Sequence, residues 1–527
     1  MRHHGELRAR FVSAEEAVAL VPDGGRLLIE ASGGGVLEPD LLLSALGDRF
    51  AHTATPTGIS AMSCSGVGNR AGSGIDHLAQ PGLLARMVAG HWAMSPKLAS
   101  MAQDGEFEAY NLPQGVLAQL LRETAAGRPG LFTRTGLGTF CDPRVDGGRL
   151  NDRTTEQLVR ATEIDGEEFL HYRAPRFDVG FIRGTTADEK GNITLEQEAA
   201  KLGVLAAATA VRNSGGIVIA QVKRVARAGS LKAKEVVVPA HLVDYVVVHP
   251  EQRQTAETDY EPAFSGEVAV PLGMTEPLPL TERAVVARRA AAMIPLGAVV
   301  NLGVGMADGV AAIVAEEGRL DELTLTVEQG LVGGVPARGV IFGVAWNPEA
   351  VVEHAAQFDF YDGGGLDVAC LGFAEVDALG NVNSSLINGR VFGAGGFINI
   401  SQSAHRVVFC GTLTAGGLRT EIGDGRLTVV TEGRVRKFVP RVHQLTFSAE
   451  RALARGQEVF YVTERAVFEL TERGVALREV APGQTVEAVV ALMDFEPIVD
   501  GHVGTMPDRL FRSPDPSPNP TDVEVLP

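Results

Sequence analysis

A chain of 527 residues is several times the ~100–200 of a typical domain and must divide into at least two. With 45% hydrophobic and 21% charged residues it can bury large globular cores, and its formal net charge of −18 disfavours nonspecific binding to nucleic acid or to an anionic membrane. The four cysteines, Cys64, Cys141, Cys370 and Cys410, form no C-x-x-C pair. That argues against a disulfide framework or a zinc ribbon and suits a reducing, cytoplasmic compartment. The twelve histidines lack metal-ligand spacing, so no metal is expected.

In chain order, Met1 to Arg10 carries charges of both signs and leads into an acidic, Ala-rich stretch with no apolar signal-peptide core. Ala17–Gly33 then gives a helix end, a Pro-x-Gly turn, an apolar strand and a glycine loop, Ser32-Gly33-Gly34-Gly35, with a similar loop at Gly66-Val67-Gly68. Asn111-Leu112-Pro113-Gln114-Gly115 enters an amphipathic helix (Val116, Leu117, Leu120, Leu121), where Gln114 is either an amide donor or part of an ordinary helix start. A strand is expected over Leu131–Thr139, and others at Ile217–Ala220, Val236–Val238 and Tyr245–Val248. Gln221-Val222-Lys223-Arg224 puts basic groups at a strand end, for phosphate or as a solvated edge.

The uncharged run Ala290–Ala307 approaches the length of a membrane span. Pro295, Asn301 and glycines 297, 303 and 305 make it helix, turn and buried strand instead. The strand Val299–Leu302 opens Asn301-Leu302-Gly303-Val304-Gly305-Met306-Ala307-Asp308-Gly309, either a phosphate-cradling glycine loop or a tight strand-to-helix turn. Its G-x-G-x-x-x-G spacing is one residue longer than the dinucleotide fingerprint, which weakens a nicotinamide reading. Leu323–Val327 is a buried strand ended by Glu328, followed by Gln329, Gly330, Gly333 and Gly334. Glu328 is a nucleophile or general base in a glycine-lined site, or a solvated strand-end acid before a turn. Gly393-Ala394-Gly395-Gly396 offers backbone amides for an oxyanion, or is a plain turn.

The chain also repeats itself. Ala291–Gly305 has the same grammar as Ala17–Gly33, and Asp178-Val179, Asp188 and Gly191-Asn192 recur 189 positions later as Asp367-Val368, Asp377 and Gly380-Asn381. Ile217–Ala220 falls on Arg406–Phe409 at the same offset, and Glu328 falls, more loosely, on Thr139. Apolar strands alternating with Ala-rich helices indicate parallel sheets covered on both faces. The expected fold is therefore α/β, two similar open domains with mainly parallel sheets. They occupy roughly 1–255 and 280–512, joined by a Pro/Thr/Gly-rich linker (256–279) and followed by a disordered tail (513–527).

Taken together, SGGGVLEPD (Ser32–Asp40), YNLPQG (Tyr110–Gly115), RGTTADEKGNI (Arg183–Ile193), QVKRVARAGSL (Gln221–Leu231), NLGVGMADGVA (Asn301–Ala311), TVEQGLVGGVP (Thr326–Pro336), GGGLDVACLG (Gly363–Gly372) and YVTERAVFEL (Tyr461–Leu470) resemble family I coenzyme A transferases. The single-chain propionate, acetate and acetoacetyl-CoA branch is the nearest match. The resemblance implies an active site between the two domains, with Glu328 as nucleophile in a ping-pong reaction. CoA would pass from a short-chain acyl-CoA to a free carboxylate through a mixed anhydride and a glutamyl-CoA thioester. It further implies Gln114, Gly395 and Gly396 as oxyanion donors and Asn301, Leu302, Gly303, Val304 and Gly305 along the CoA site. No separate cofactor is implied, since the CoA thioester is itself a substrate, and a homodimer or homotetramer is. In the mammalian ketoacid branch Asn follows the nucleophile, where this chain has Gln329. Two other readings remain: an acyl-CoA hydrolase on the same scaffold, and a non-catalytic α/β ligand-binding module.

Overall fold

The computed structural model describes residues 9–271 and 278–513. The expectations for the first eight residues and for the tail from 514 lie outside them, as does part of the joining segment. Two ten-stranded sheets organise the chain. The first contains β1 (Arg26–Ile29), β2 (Ile59–Ser63), β3 (Leu84–Ala89), β4 (Glu108–Asn111), β5 (Val179–Asp188), β6 (Ile217–Ala226) and β7 (Tyr245–Val248). These lie in the order β7-β6-β5-β1-β2-β3-β4, all parallel. The second contains β8 (Val299–Leu302), β9 (Thr324–Val327), β10 (Val368–Gly372), β11 (Arg406–Cys410) and β12 (Glu458–Val462), parallel in the order β12-β11-β10-β8-β9. Antiparallel strands extend both of its edges.

Helices cover both faces of each sheet, so strand residues are buried whichever way they point. All ten positions of β5 are buried. Successive residues alternate between two cores: Leu28 joins one and Leu27 and Ile29 the other, as the pleat requires. The uncharged run folds as expected into the end of a helix (Glu282–Ala291), a turn through Gly297 at φ +77°, and β8. Among the described residues no helix is long and apolar enough to cross a membrane.

The duplication is visible bond by bond. Val179 pairs with Ile217 across β5 and β6, and Val368 with Arg406 across β10 and β11, in the register that the 189-residue offset demands. The Arg26 amide donates to Asp178 Oδ2 (2.9 Å) and the Val299 amide to Asp367 Oδ2 (2.8 Å). Asp188 accepts from the Lys190 and Asn192 amides and from the Asn192 side chain, whose Oδ1 accepts from Ala240. Asp377, Leu379, Asn381 and Ala449 repeat every one of those bonds.

One part of the expected alignment is corrected by the same pairing. Leu27 lies beside both Val179 and Ala61, and Val300 beside both Val368 and Leu325. Ala61 is therefore the twin of Leu325, and Glu328 falls on Cys64, not on Thr139. Thr139 is not in a strand at all. The expected strand Leu131–Thr139 is only Gly130–Thr133, because Gly136 and Gly138 adopt φ of +96° and +70° and turn the chain. That short strand belongs to a separate three-stranded antiparallel sheet with Val159–Ile164 and Glu167–Arg173. This insertion lies between β4 and β5 in the chain.

The loop after β1 carries a buried carboxyl, Glu38. Burial, reinforced by the neighbouring charge of Asp40, pushes it up to about 8 despite the attraction of Arg183. Glu38 thus keeps its proton in the fold at pH values where the unfolded chain has released it. The folded state binds more protons, so stability is lost as pH rises from the ordinary carboxylate range towards 8. Glu38→Gln, which mimics the protonated side chain, should remove this dependence. Urea midpoints should show wild type falling relative to E38Q by a few kcal/mol at most between pH 5 and 8. Parallel pH profiles would refute the assignment.

Candidate active site

Loops at the carboxyl ends of both sheets meet across a cavity of about 320 Å³, where open parallel sheets bind ligands. The first half contributes Ser32 and Gly33 after β1, Ser65 and Gly66 after β2, His91 after β3, and Gln114 at the start of α1 (Gln114–Ala125). The second half contributes Asn301 in β8 and Gly303 and Val304 after it, Glu328 after β9, Leu371 and Gly372 at the end of β10, and the loop running into α3 (Phe397–Ser403). The remaining helix of the site, α2 (His354–Asp362), packs against α1 and α3.

Glu328 leaves the sheet just where β9 ends, and its half-buried side chain lines the cavity. Burial raises its carboxyl above the usual range. Hydrogen bonds from its own backbone amide and from the Gln329 and Asn301 side chains partly oppose this. A carboxylate held this way is poorly solvated and therefore a stronger nucleophile. Asn301 is anchored by donating to Thr326 O (3.2 Å) and Tyr361 Oη (3.3 Å), which leaves its Oδ1 buried without a partner. Gly396 caps α3, and a methyl group in place of its hydrogen would stand 3.3 Å from Glu328 Cγ. Glycine lets that helix terminus approach the carboxylate.

The two glycines named as oxyanion donors differ. The Gly395 amide donates to Gly90 O (2.7 Å), while the Gly396 amide has no acceptor among the described residues. Gln114 stands beside that loop, its backbone amide donating to Gly395 O (2.9 Å), its Nε2 3.0 Å from His354 Nε2 and its Oε1 3.3 Å from Ser65 Oγ. Of the glycine loop after β8, Asn301, Gly303 and Val304 line the cavity, and Val304 is exposed. Leu302 instead points into the core beneath the sheet, and Gly305 lies outside the lining. The Gly303 amide donates to Cys370 O (2.8 Å) and that of Gly305 to Asp308 Oδ2 (3.3 Å). These two amides are therefore engaged within the protein. The basic residues after Gln221 lie inside β6 rather than at its end, and Arg224 pairs with Glu196 at 2.8 Å.

Sequence reasoning missed Arg70, His91, Ser65 and His354. Arg70 is the only arginine or lysine among the described residues lining the cavity, and it sits at φ +65° on an exposed rim. Its loop is held by Asn69 Oδ1, which accepts from the Ala71 and Ser73 amides. Burial, and then the charge of Arg70, push His91 down to about 4, so it lines the cavity as a neutral ring. Among the described residues no group of three His, Cys, Asp or Glu is placed to hold a metal ion.

Three comparisons bear on this geometry. The family profile described as coenzyme A transferase matches residues 11–249. The chain is 46% identical over 506 residues to acetate CoA-transferase YdiF of Escherichia coli K12, covering 96% of this chain and 95% of the relative. It is 44% identical over 513 residues to caffeate CoA-transferase of Acetobacterium woodii, covering 95% and 97%. Among solved structures, acyl-CoA transferase YdiF of E. coli O157:H7, described as a thioester complex with CoA, superposes with a TM-score of 0.92 at 45% identity over 96% of each chain. Two α/β halves enclosing a strand-end glutamate, in a chain matched along nearly its whole length by such relatives, make it a CoA-transferase, a single-chain member of the coenzyme A transferase family.

Proposed function

We propose that this enzyme moves CoA from a short-chain acyl-CoA to a free carboxylate by a ping-pong route through Glu328. Its carboxylate attacks the thioester carbonyl, the C–S bond breaks, and CoA leaves as thiolate from a mixed glutamyl–acyl anhydride. The thiolate then attacks the glutamyl carbonyl and expels the first carboxylate, leaving a glutamyl-CoA thioester. An incoming carboxylate reverses both steps. The observation that carries this reading is the position of Glu328, a poorly solvated carboxyl at the end of β9. It faces a cavity built by both halves, beside the unengaged Gly396 amide. Each step passes through an oxyanion, which that amide is placed to stabilise. Apolar lining from Met94, Phe342, Leu371, Ile387 and Phe392 suits the hydrocarbon part of a small acid, and the named relatives act on acetate and caffeate.

Intact mass after incubation with acetyl-CoA tests the proposal. Wild type should gain a CoA-sized adduct that hydroxylamine or borohydride removes, and Glu328→Ala should gain none. Initial rates against both substrates should give parallel double-reciprocal lines. Intersecting lines, or an adduct that survives loss of Glu328, would refute it.

Arg70 supplies a second expectation. The acceptor arrives as an anion, and a cation on the cavity rim raises its local concentration in a salt-sensitive way. Arg70→Gln should raise KM for the acceptor several-fold, flatten its dependence on ionic strength, and leave kcat near wild type. An unchanged salt dependence would remove Arg70 from substrate capture.

A further inference from the structure

A continuous chain of hydrogen bonds runs along the cavity wall from the residue after the nucleophile to a histidine outside the cavity. Gln329 Nε2 donates to Ser32 Oγ (3.3 Å), Ser32 Oγ lies 3.0 Å from Ser65 Oγ, Ser65 Oγ lies 3.3 Å from one terminal atom of the Gln114 amide, and the other terminal atom lies 3.0 Å from His354 Nε2. Ser32, Ser65, Gln114 and Gln329 all line the cavity and are all almost fully buried. His354 does not line it. It is the first residue of α2, 1% exposed, packed against Phe358, and its Nδ1 has no partner.

A chain of this kind has a direction, and the proton on His354 sets it. A neutral imidazole carries one N–H and one lone pair, and which nitrogen is protonated follows from what the other can do. Burial and a helix N-terminus both disfavour a charged ring, and burial pushes the group down to about 3. A proton on Nδ1 would be a buried donor with no acceptor, which native structures rarely contain, whereas an unpaired lone pair there is tolerated. The proton therefore belongs on Nε2, and Nε2–H must meet an oxygen. The two ends of a glutamine amide are nearly alike in shape, and their assignment follows the hydrogen-bond network. With Oε1 turned to His354, the NH₂ end of Gln114 faces Ser65 and the cavity, near where a Cβ of Gly395 would stand. In the opposite tautomer the carbonyl oxygen would face that space and repel any oxyanion formed there. Ser65 then donates to Ser32, which also accepts from Gln329, so the Ser32 hydroxyl proton is left for the cavity.

We propose that His354 is a positioning residue whose Nε2–H fixes the Gln114 amide as a donor towards the reaction centre and sets the proton order of the Ser65–Ser32 chain. This deepens the reading of the site given above and rests on it.

His354→Phe keeps the ring shape and removes both nitrogens, and His354→Gln restores a donor at similar reach. H354F should lower kcat roughly ten- to hundredfold, part of the ~10²–10³ that a whole oxyanion donor supplies. KM for acetyl-CoA should stay within about threefold, because substrate and transition state lose different amounts. H354Q should recover most of kcat. In a Gln114→Ala background H354F should cost nothing more, since its effect passes through that amide. Long-range ¹H–¹⁵N correlations of wild-type enzyme labelled with ¹⁵N-histidine, with His354 assigned by its loss in H354Q, should show the Nε2–H tautomer. The tautomer is read from wild-type enzyme, and whichever of H354F and H354Q folds supplies the assignment. An Nδ1–H tautomer, wild-type kcat in H354F, or multiplicative losses in the double variant would each overturn the proposal. Wild type that forms no Glu328–CoA adduct would overturn the mechanism itself, a result separate from all of these.

Discussion

Glu328→Ala is expected to abolish CoA transfer, with kcat falling by about 10⁴-fold or more, as when other covalent nucleophiles are removed. The effect should be of this size because the residue both forms and breaks the two covalent bonds, and no other carboxylate lines the cavity among the described residues. Cys64, its twin in the first half, is fully buried away from the cavity, and burial pushes its thiol well up, so it cannot substitute. Glu328→Asp should be nearly as damaging. Withdrawing the carboxylate by one methylene moves it about 1 Å, a displacement that typically costs ~10² in rate. Purified variants with unchanged melting temperatures and a coupled assay for free CoA and acyl-CoA would decide this. Retention of more than a few per cent of turnover in E328A would contradict the covalent route.

Arg465→Met is expected to give the largest loss of stability. Its guanidinium is 1% exposed and donates to Glu464 (2.6 Å), which is itself fully buried, and to Glu432 (2.9 Å). Burial raises the carboxyl of Glu464, and Arg465 is the main opposing influence. Removing one partner of such a pair strands the other charge in a low-dielectric interior, typically at a cost of about 3–5 kcal/mol. The urea midpoint should fall accordingly, and Arg465→Met/Glu464→Gln should recover part of the loss. A shift below about 1 kcal/mol would show that water reaches Glu464 and replaces the guanidinium.

Much of the fold was legible because its strands are buried on both faces. Runs such as Ile217–Ala220 and Tyr245–Val248 are apolar without interruption, and the Asp–Asn turn after β5 and β10 needs the same residue types in both halves. The inserted antiparallel sheet was not legible. Glu167–Arg173 is mostly partly exposed and lacks the apolar run of the other strands. Within the site, Glu328 stood out because a carboxylate directly ends an apolar strand. Assigning Asn301 to Gly305 to the ligand site as a block ignored the pleat, which sends Asn301 into the cavity and Leu302 into the core. Arg70 and His91 carried no local signal because two separate loops of the first half bring them together, and His354 carried none because only the docking of the two halves sets it against Gln114.

The twinned registers also have an evolutionary consequence. Two copies that began alike at this strand end now hold a thiol at one and a carboxylate at the other, while the matching amide, Gln114, comes from the copy without the nucleophile. Specialisation of this kind binds each copy to its sibling. Neither could drift back to independence, since a lone half would retain an attacking group with nothing opposite it, or a receptive wall with nothing to attack. Selection on chemistry therefore acts on the seam between the copies, and the peptide joining them is a convenience of inheritance.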